Sequence, residues 1–186
     1  MNRRDVGLRI AYLVAAFGIY LADQATKAWA VLSTRCNSEP VTLINGFLDL
    51  TFATNPGVAF GQFQSGGSFG RWFFVVLAIA AAVAVLFYFF RTTRNDDRML
   101  GACALLLAGI AGNLTDRARL GHVIDFIYLH YYNSFSWPVF NVADMSICAG
   151  AFLLLYDMFR KSRSQKSGVR SQKEISEQAV SPQKSE

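Results

Sequence analysis

Asparagine and aspartate recur at one spacing in two otherwise apolar stretches of this chain. Asn113 and Asp116 form one Asn-x-x-Asp pair, and Asn141 and Asp144 form a second. Residues three apart share a face of a helix, so each pair would present an amide and a carboxylate together. Asn141 is also a candidate helix N-cap, and this alternative is compatible with a role in a site.

A third polar pair lies in the first apolar stretch. Asp23 and Lys27 are four residues apart, in the acid-first order that favours a helical ion pair. Two interpretations remain open: part of a functional site, or a structural ion bridge whose lysine extends to the membrane surface. The other polar candidates are Asn55, Arg117 and Asp125.

Two chemistries use clustered acids of this kind. In aspartic proteolysis two carboxylates share one proton, so that one activates a water while the other polarises the scissile carbonyl. In ion or proton translocation, acids inside a membrane carry charge across it. Translocation needs polar groups along a path to both membrane faces, whereas these residues gather toward one end of the apolar stretches. That distribution favours a site that opens at one surface.

The other reactive residue types do not form a recognisable site. His122 and His130 match no common spacing of zinc ligands and are expected to be loop or interface residues. The three cysteines have neither a paired spacing nor a basic neighbour in sequence. We therefore expect no metal and no cofactor.

Four apolar segments are long enough to hold these polar residues in a membrane. The strongest, 72–90, has no charge and would span about 28 Å as a helix, close to the thickness of the hydrocarbon core. The first segment resembles a cleaved signal peptide, but Asp23 and Lys27 would lie beside the cleavage site, so a retained helix is expected. The predicted spans are about 10–32, 70–90, 99–115 and 139–159.

The distribution of lysine and arginine predicts the orientation of these spans. The two termini and the short middle loop hold 13 of the 18 basic residues, which places them in the cytoplasm. The loops at about 33–68 and 116–138 are then extracytoplasmic. With this topology, the polar candidates from four segments lie at one level, toward the extracytoplasmic face.

The composition supports a membrane domain followed by a basic tail. Only 17% of residues are charged and 53% are hydrophobic. The net charge is +5, but residues 160–186 alone contribute +4. We expect a four-helix transmembrane domain over 1–160 and a disordered, basic cytoplasmic tail over 161–186. A basic segment beside an apolar helix favours contact with anionic lipid and argues against a nucleic-acid partner.

Four stretches together resemble the lipoprotein signal peptidases (signal peptidase II), a family of bacterial membrane aspartyl proteases. They occur in the family's order, and together they are highly specific. The stretches are DQATK at 23–27, TNPGVAFG at 54–61, GNLTDR at 112–117 with GHVIDF at 121–126, and FNVAD at 140–144.

The resemblance implies a fold, an activity and a set of site residues. It implies an all-α membrane protein of the bacterial inner membrane, with four transmembrane helices and a small extracytoplasmic β-structured part. The activity would be removal of the signal peptide from diacylglyceryl-modified prolipoproteins, with cleavage before the lipidated cysteine and inhibition by globomycin. The implied catalytic residues are Asp125 and Asp144, and the supporting residues are Asp23, Lys27, Asn55, Asn113, Asp116, Arg117 and Asn141.

Sequence patterns add detail to the extracytoplasmic part. Residues 41–44 and 47–52 read as short strands about a turn at Asn45-Gly46. The loop Asn55–Gln62, rich in small residues and phenylalanine, is a hypothetical lid over the substrate. A small transporter or proton-coupled channel is the main alternative function, and a non-enzymatic membrane scaffold is the third.

Overall fold

The computed structural model describes residues 3–35, 40–57, 68–92, 96–132 and 134–180. Within these ranges the chain forms four long helices and one small sheet. The helices are α1 (Arg3–Ala30, continued by a π-helical turn over Val31–Arg35), α2 (Ser68–Arg91), α3 (Asp97–Leu120) and α4 (Val142–Val180).

Each helix contains a segment long and apolar enough to cross a membrane. These segments are Asp5–Ser33, Gly70–Arg91, Asp97–Leu120 and Val142–Lys161. The four predicted spans are therefore confirmed as helices, although the third is longer than predicted. It continues through Asp116 and Arg117 to Leu120 and ends at Gly121, whose φ of 84° gives a left-handed C-cap. Asp116 and Arg117 thus lie on the helix, as the helical spacing of Asn113 and Asp116 predicts, although the predicted span ended at about residue 115.

Helix α3 is central and contacts the other three helices. Its approach to α4 is close because glycines lie at the crossing. A Cβ atom at Gly109 would collide with the carbonyl oxygen of Ala143, and one at Gly150 on α4 would lie 2.8 Å from the carbonyl oxygen of Ala102. Small residues let helix backbones approach closely in a membrane. This contact brings the start of α4 against the end of α3.

A four-stranded antiparallel sheet lies at the end of the bundle where α3 ends and α4 begins, called here the sheet end. Its order is β1 (Val41–Ile44), β2 (Leu48–Asn55), β3 (Val123–Tyr131) and β4 (Phe135–Ser136). The predicted hairpin of β1 and β2 is confirmed, with Gly46 at a φ of 72° in its turn. Strands β3 and β4 were not predicted, because apolar and polar residues do not alternate regularly in the segment after α3.

Ion pairs join the helices at the opposite end of the bundle, called here the far end. Asp96 caps α3 by accepting a hydrogen bond from the backbone N of Met99. Lys161 Nζ lies 2.5 Å from Asp96 and 2.6 Å from Asp157, so it ties α4 to the start of α3. The guanidinium of Arg9 donates to the backbone carbonyls of Phe89 and Thr92, which end α2.

Helix α4 extends through part of the segment predicted to be a disordered tail. The prediction placed the boundary at residue 161, whereas the helix continues to Val180. Lysine, arginine, glutamine and glutamate dominate this segment and have high helix propensity, and the first proline is Pro182. A segment of this composition therefore lacks an apolar face but still forms a helix.

Candidate active site

Asp125 and Asp144 reach the sheet end from different elements and are joined by Asn141. Asp125 is buried on β3, and Asp144 lies in the first turn of α4. The Asn141 amide nitrogen Nδ2 donates to Asp125 Oδ1 at 2.5 Å. Its backbone N donates to Asp144 Oδ2 at 3.3 Å, and its Oδ1 accepts from the backbone N of Asp144 at 2.9 Å.

The two bonds between Asn141 and Asp144 form a reciprocal cap at the start of α4. The N-cap interpretation of Asn141 is therefore confirmed, and the same residue also contacts Asp125. Because Asn141 is fully buried, water does not compete for these bonds. One side chain thus fixes the relation between a strand carboxylate and a helix carboxylate.

Asn113 on α3 holds the second oxygen of Asp144. Its Nδ2 donates to Asp144 Oδ1 at 2.7 Å, while its Oδ1 accepts from Asn141 Nδ2 at 3.3 Å. Lys27 Nζ also donates to Asn113 Oδ1, at 3.2 Å. A lysine ammonium only donates, so it fixes which end of the Asn113 amide faces it and therefore which end faces Asp144.

Lys27 lies between two carboxylates. Its Nζ is 2.9 Å from Asp23 Oδ2 and 2.8 Å from Asp116 Oδ2. With Asn113 Oδ1, these oxygens match the three protons of the ammonium. The predicted Asp23–Lys27 bridge is confirmed, but the lysine does not extend to the surface, because its side chain is only 2% exposed.

Each of the two acids that pair with Lys27 also holds a backbone segment. Asp23 Oδ1 accepts from the backbone N of Ala143 at 2.8 Å, which ties α1 to the first turn of α4. Asp116 Oδ2 accepts from the backbone N of Ile124 at 3.2 Å, which ties α3 to the start of β3 beside Asp125.

Gln24 belongs to this cluster and was not among the predicted site residues. Its Nε2 lies 3.1 Å from Asp116 Oδ1, 3.2 Å from Asp23 Oδ2 and 3.3 Å from the carbonyl oxygen of Gly112. It therefore bridges the two acids, sharing Asp23 Oδ2 with Lys27 and taking the other oxygen of Asp116. Its position in an apolar span could have identified Gln24 as a site residue, because an amide side chain in a membrane is costly unless it is hydrogen-bonded.

Asn55 and Arg117 complete the cluster from the sheet and from α3. The Asn55 side chain hydrogen-bonds Asp125, and its Oδ1 accepts from the backbone N of Gly57 at 2.9 Å. The Arg117 guanidinium lies 5.5 Å from the centre of the Phe74 ring on α2 and interacts electrostatically with Asp116, Asp125 and Asp144.

The structure thus brings all nine predicted site residues to one end of the bundle. The loop Asn55–Gln62 is described only as far as Gly57, so the hypothetical lid lies outside the described residues from 58 onward. His130 pairs with Asp49 on the sheet and not with this cluster. In the part of the chain that the structure describes, no group of three His, Cys, Asp or Glu side chains could hold a metal ion.

The family to which this site belongs is shown by comparison with known proteins. The model of the family described as Signal peptidase (SPase) II matches residues 15–160. The chain belongs to the signal peptidase II family. It is a membrane protease of the lipoprotein-processing class, as the prediction from the four sequence stretches stated.

Several relatives are similar over most of their length. The lipoprotein signal peptidase of Pseudoalteromonas atlantica is 41% identical over 159 residues, covering 84% of this chain and 93% of the relative. That of Neisseria meningitidis serogroup C is 38% identical over 166 residues, covering 87% and 98%. A solved structure of a bacterial membrane enzyme superposes with a TM-score of 0.68 at 29% identity, covering 80% of this chain and 92% of that one.

The electrostatic environment of Asp125 differs from that of a surface carboxylate. Burial raises the pKa of Asp125 above its ordinary value, and the nearby charge of Asp144 raises it further. Hydrogen bonds from Asn55 and Asn141, and the charge of Lys27, act in the opposite direction without cancelling the rise. This signal peptidase II therefore holds a carboxyl group with increased proton affinity beside a second carboxylate.

Replacing Lys27 with methionine tests the buried ion cluster. The change leaves the Asp23 and Asp116 carboxylates buried without a cation, so we expect the free energy of unfolding to fall by about 3–5 kcal/mol. The matched control is Arg91→Met at the far end. Because that arginine is exposed and lies over the Phe87 ring, its loss should cost about 1 kcal/mol or less. Denaturant unfolding in detergent measures both, and equal losses would contradict the assignment of Lys27 as the central cation.

Proposed function

We propose that this signal peptidase II cleaves diacylglyceryl-modified prolipoproteins by aspartic proteolysis, with Asp125 and Asp144 as the catalytic pair. Membership of the family supports removal of signal peptides from prolipoproteins. The observation that carries the catalytic assignment is the hydrogen bonding of both carboxylates to Asn141. The bond cut is the peptide bond that precedes the lipidated cysteine.

The pair would act as one unit that holds a single proton. The ionised carboxylate takes a proton from a water molecule, and the resulting hydroxide attacks the scissile carbonyl carbon. The protonated carboxyl donates its proton to the carbonyl oxygen, which gives a neutral tetrahedral intermediate. The carboxyl that received the water's proton then passes it to the departing amine of the cysteine, while the other carboxylate takes a hydroxyl proton from the intermediate. The C–N bond breaks, the product carboxyl forms, and the pair again holds one proton. A coupled pair shares these roles, so neither residue is assigned the proton alone.

The supporting residues prepare the pair for this reaction. The amides of Asn113 and Asn141 donate to Asp144 and Asp125 respectively, and so orient both carboxylates. Lys27 and Arg117 offset part of the negative charge of the acids in the cluster. Without this compensation, ionising one member of the pair beside two other buried carboxylates would be unfavourable.

The sheet end is proposed to face the extracytoplasmic side of the bacterial inner membrane. Basic residues at the far end, among them Arg9, Arg91 and Lys161, support this orientation through the positive-inside rule. The diacylglyceryl group would anchor the substrate cysteine at the membrane surface, at the level where the catalytic pair lies. Exposed apolar side chains of α2, such as Val76, Val83 and Phe87, would contact membrane lipids.

Two further expectations follow from family resemblance and geometry. Globomycin-type cyclic peptides should inhibit the enzyme by competing for the same site. The channel alternative gains no support, because Arg9, Asp96 and Lys161 at the far end are engaged in contacts that join helices. A translocation path would need polar groups free to exchange ions at both ends. The scaffold alternative gains none, because the chain belongs to a family of peptidases.

Substituting either catalytic aspartate tests the assignment. We expect Asp125→Asn and Asp144→Asn each to reduce cleavage of a diacylglyceryl-modified prolipoprotein by at least about 1000-fold, because general acid–base catalysis needs both carboxyls. Asp97→Asn, which removes a carboxylate at the far end, should leave the rate unchanged. The assay is purified protein in detergent with product detection by mass spectrometry. Full activity in both active-site variants would refute the pair.

Replacing Asn55 with alanine tests the pH dependence of the pair. The hydrogen bond from Asn55 lowers the pKa of Asp125, so its loss should raise that pKa further. The pair then keeps its shared proton to higher pH, and at least one limb of the pH–rate profile should move toward alkaline pH. The measurement is kcat/KM of native and Asn55→Ala protein across pH. A profile with both limbs unmoved, or moved toward acid, would contradict this account.

A further inference from the structure

A second polar cluster lies on the sheet, apart from Asp125 and Asp144. It lines a pocket of about 330 Å³. Asp49 on β2 and His130 on β3 meet there, with 3.0 Å between Asp49 Oδ2 and His130 Nε2, and their side chains are only 16% and 13% exposed. The proposed reaction uses neither residue, so this pair needs a separate explanation.

Both ring nitrogens of His130 face oxygen acceptors. Nε2 faces Asp49 Oδ2, and Nδ1 lies 3.3 Å from the backbone carbonyl oxygen of Tyr132. A neutral imidazole carries one N–H and can donate to only one of them, whereas an imidazolium donates to both. The surroundings are therefore complementary to the protonated form.

Other groups around His130 do not supply a competing charge. The Tyr128 ring stacks on the imidazole with centroids 5.0 Å apart. Among the described residues that line the pocket, the titratable groups facing His130 are Asp49 from β2 and the two tyrosines Tyr128 and Tyr132. The β1 strand and its turn contribute Thr42 and Asn45, which do not titrate.

The pair also depends on how β2 and β3 are aligned. Asp49 lies opposite Tyr128, so His130 is its diagonal neighbour on the same face. A slip of one residue would turn Asp49 to the other face of the sheet and separate it from His130. The pair therefore does not form after a slip of one residue.

Register matters here because the β2–β3 ladder contains an irregularity. Leu50 pairs with Ile127 and Ala53 with Asp125, so β2 has one extra residue between these two points. Beyond the bulge, the ladder carries Asn55 and Asp125. Because both parts belong to one strand, a slip of β2 as a whole by one residue would separate Asp49 from His130 and also shift Asn55 relative to Asp125.

We propose that the Asp49–His130 pair fixes the register of β2 against β3, and that His130 is a positioning residue acting through these strands on Asn55 and Asp125. The effect on cleavage rests on the proposed function, whereas the effect on register does not.

Hydrogen exchange of the full-length protein in detergent tests the register directly. At one fixed pH, the amides of 48–55 should be about threefold to fivefold better protected from exchange in the native chain than in His130→Gln. Thr42→Val, which alters the pocket but not the pair, should keep the native protection. Equal protection in the native chain and in His130→Gln, or an equal loss in Thr42→Val, would overturn the proposal.

Cleavage kinetics test the link to Asp125. His130→Gln and Asp49→Asn should each lower kcat by about threefold to fivefold, with KM unchanged, and the double variant should lose no more than either single variant. Losses that add in the double variant would overturn the pairing. If the native chain shows no cleavage, the proposed function fails while the exchange result still decides the register. If His130→Gln does not fold, Asp49→Asn replaces it in the exchange experiment, with the same expected loss of protection.

Discussion

The site depends on one buried ammonium group. Removing a lysine from water is costly unless its charge is paired and its protons are bound. Lys27 meets this condition with two carboxylates and one amide oxygen, all within 3.2 Å of its Nζ. Each of these groups then holds another element. Asp23 holds the start of α4, Asp116 holds the start of β3, and Asn113 holds the carboxylate of Asp144.

This arrangement explains why a small residue is needed between the helices. A Cβ atom at Gly112 would collide with Asp23 Oδ2 and approach the side chain of Ala143 to 3.1 Å. The absence of a side chain there lets Asp23 reach from α1 to the N-terminus of α4, where a carboxylate is also favoured by the helix dipole. Charge compensation by Asp23 thus depends on close helix packing at Gly112. Both conditions must be met before Asn141 can hold Asp125 and Asp144 together.

Much of this architecture could be predicted from sequence because scarce charges in apolar spans are informative. The four spans, the first hairpin and the convergence of Asp23, Lys27, Asn113 and Asp144 follow from hydropathy and spacing. Strand β3 could not be predicted, since its partner β2 lies about seventy residues earlier and its own pattern does not alternate cleanly. The role of Gln24 could not be predicted either, because its hydrogen-bond partners Gly112 and Asp116 lie on α3. The helical extension of α4 was not predicted, because the polar composition of 161–186 indicates that the segment has no apolar face but does not determine its backbone conformation.

The central claim is that Asp125 and Asp144 act as a coupled pair sharing one proton. The most direct test is infrared titration of the carboxyl groups in the native protein and in Asp125→Asn and Asp144→Asn. The account predicts that the native pair titrates in two separate steps, the upper one well above the ordinary aspartate range, and that either variant shows one step in place of two. A native protein in which both carboxyls titrate together in the ordinary aspartate range would contradict it.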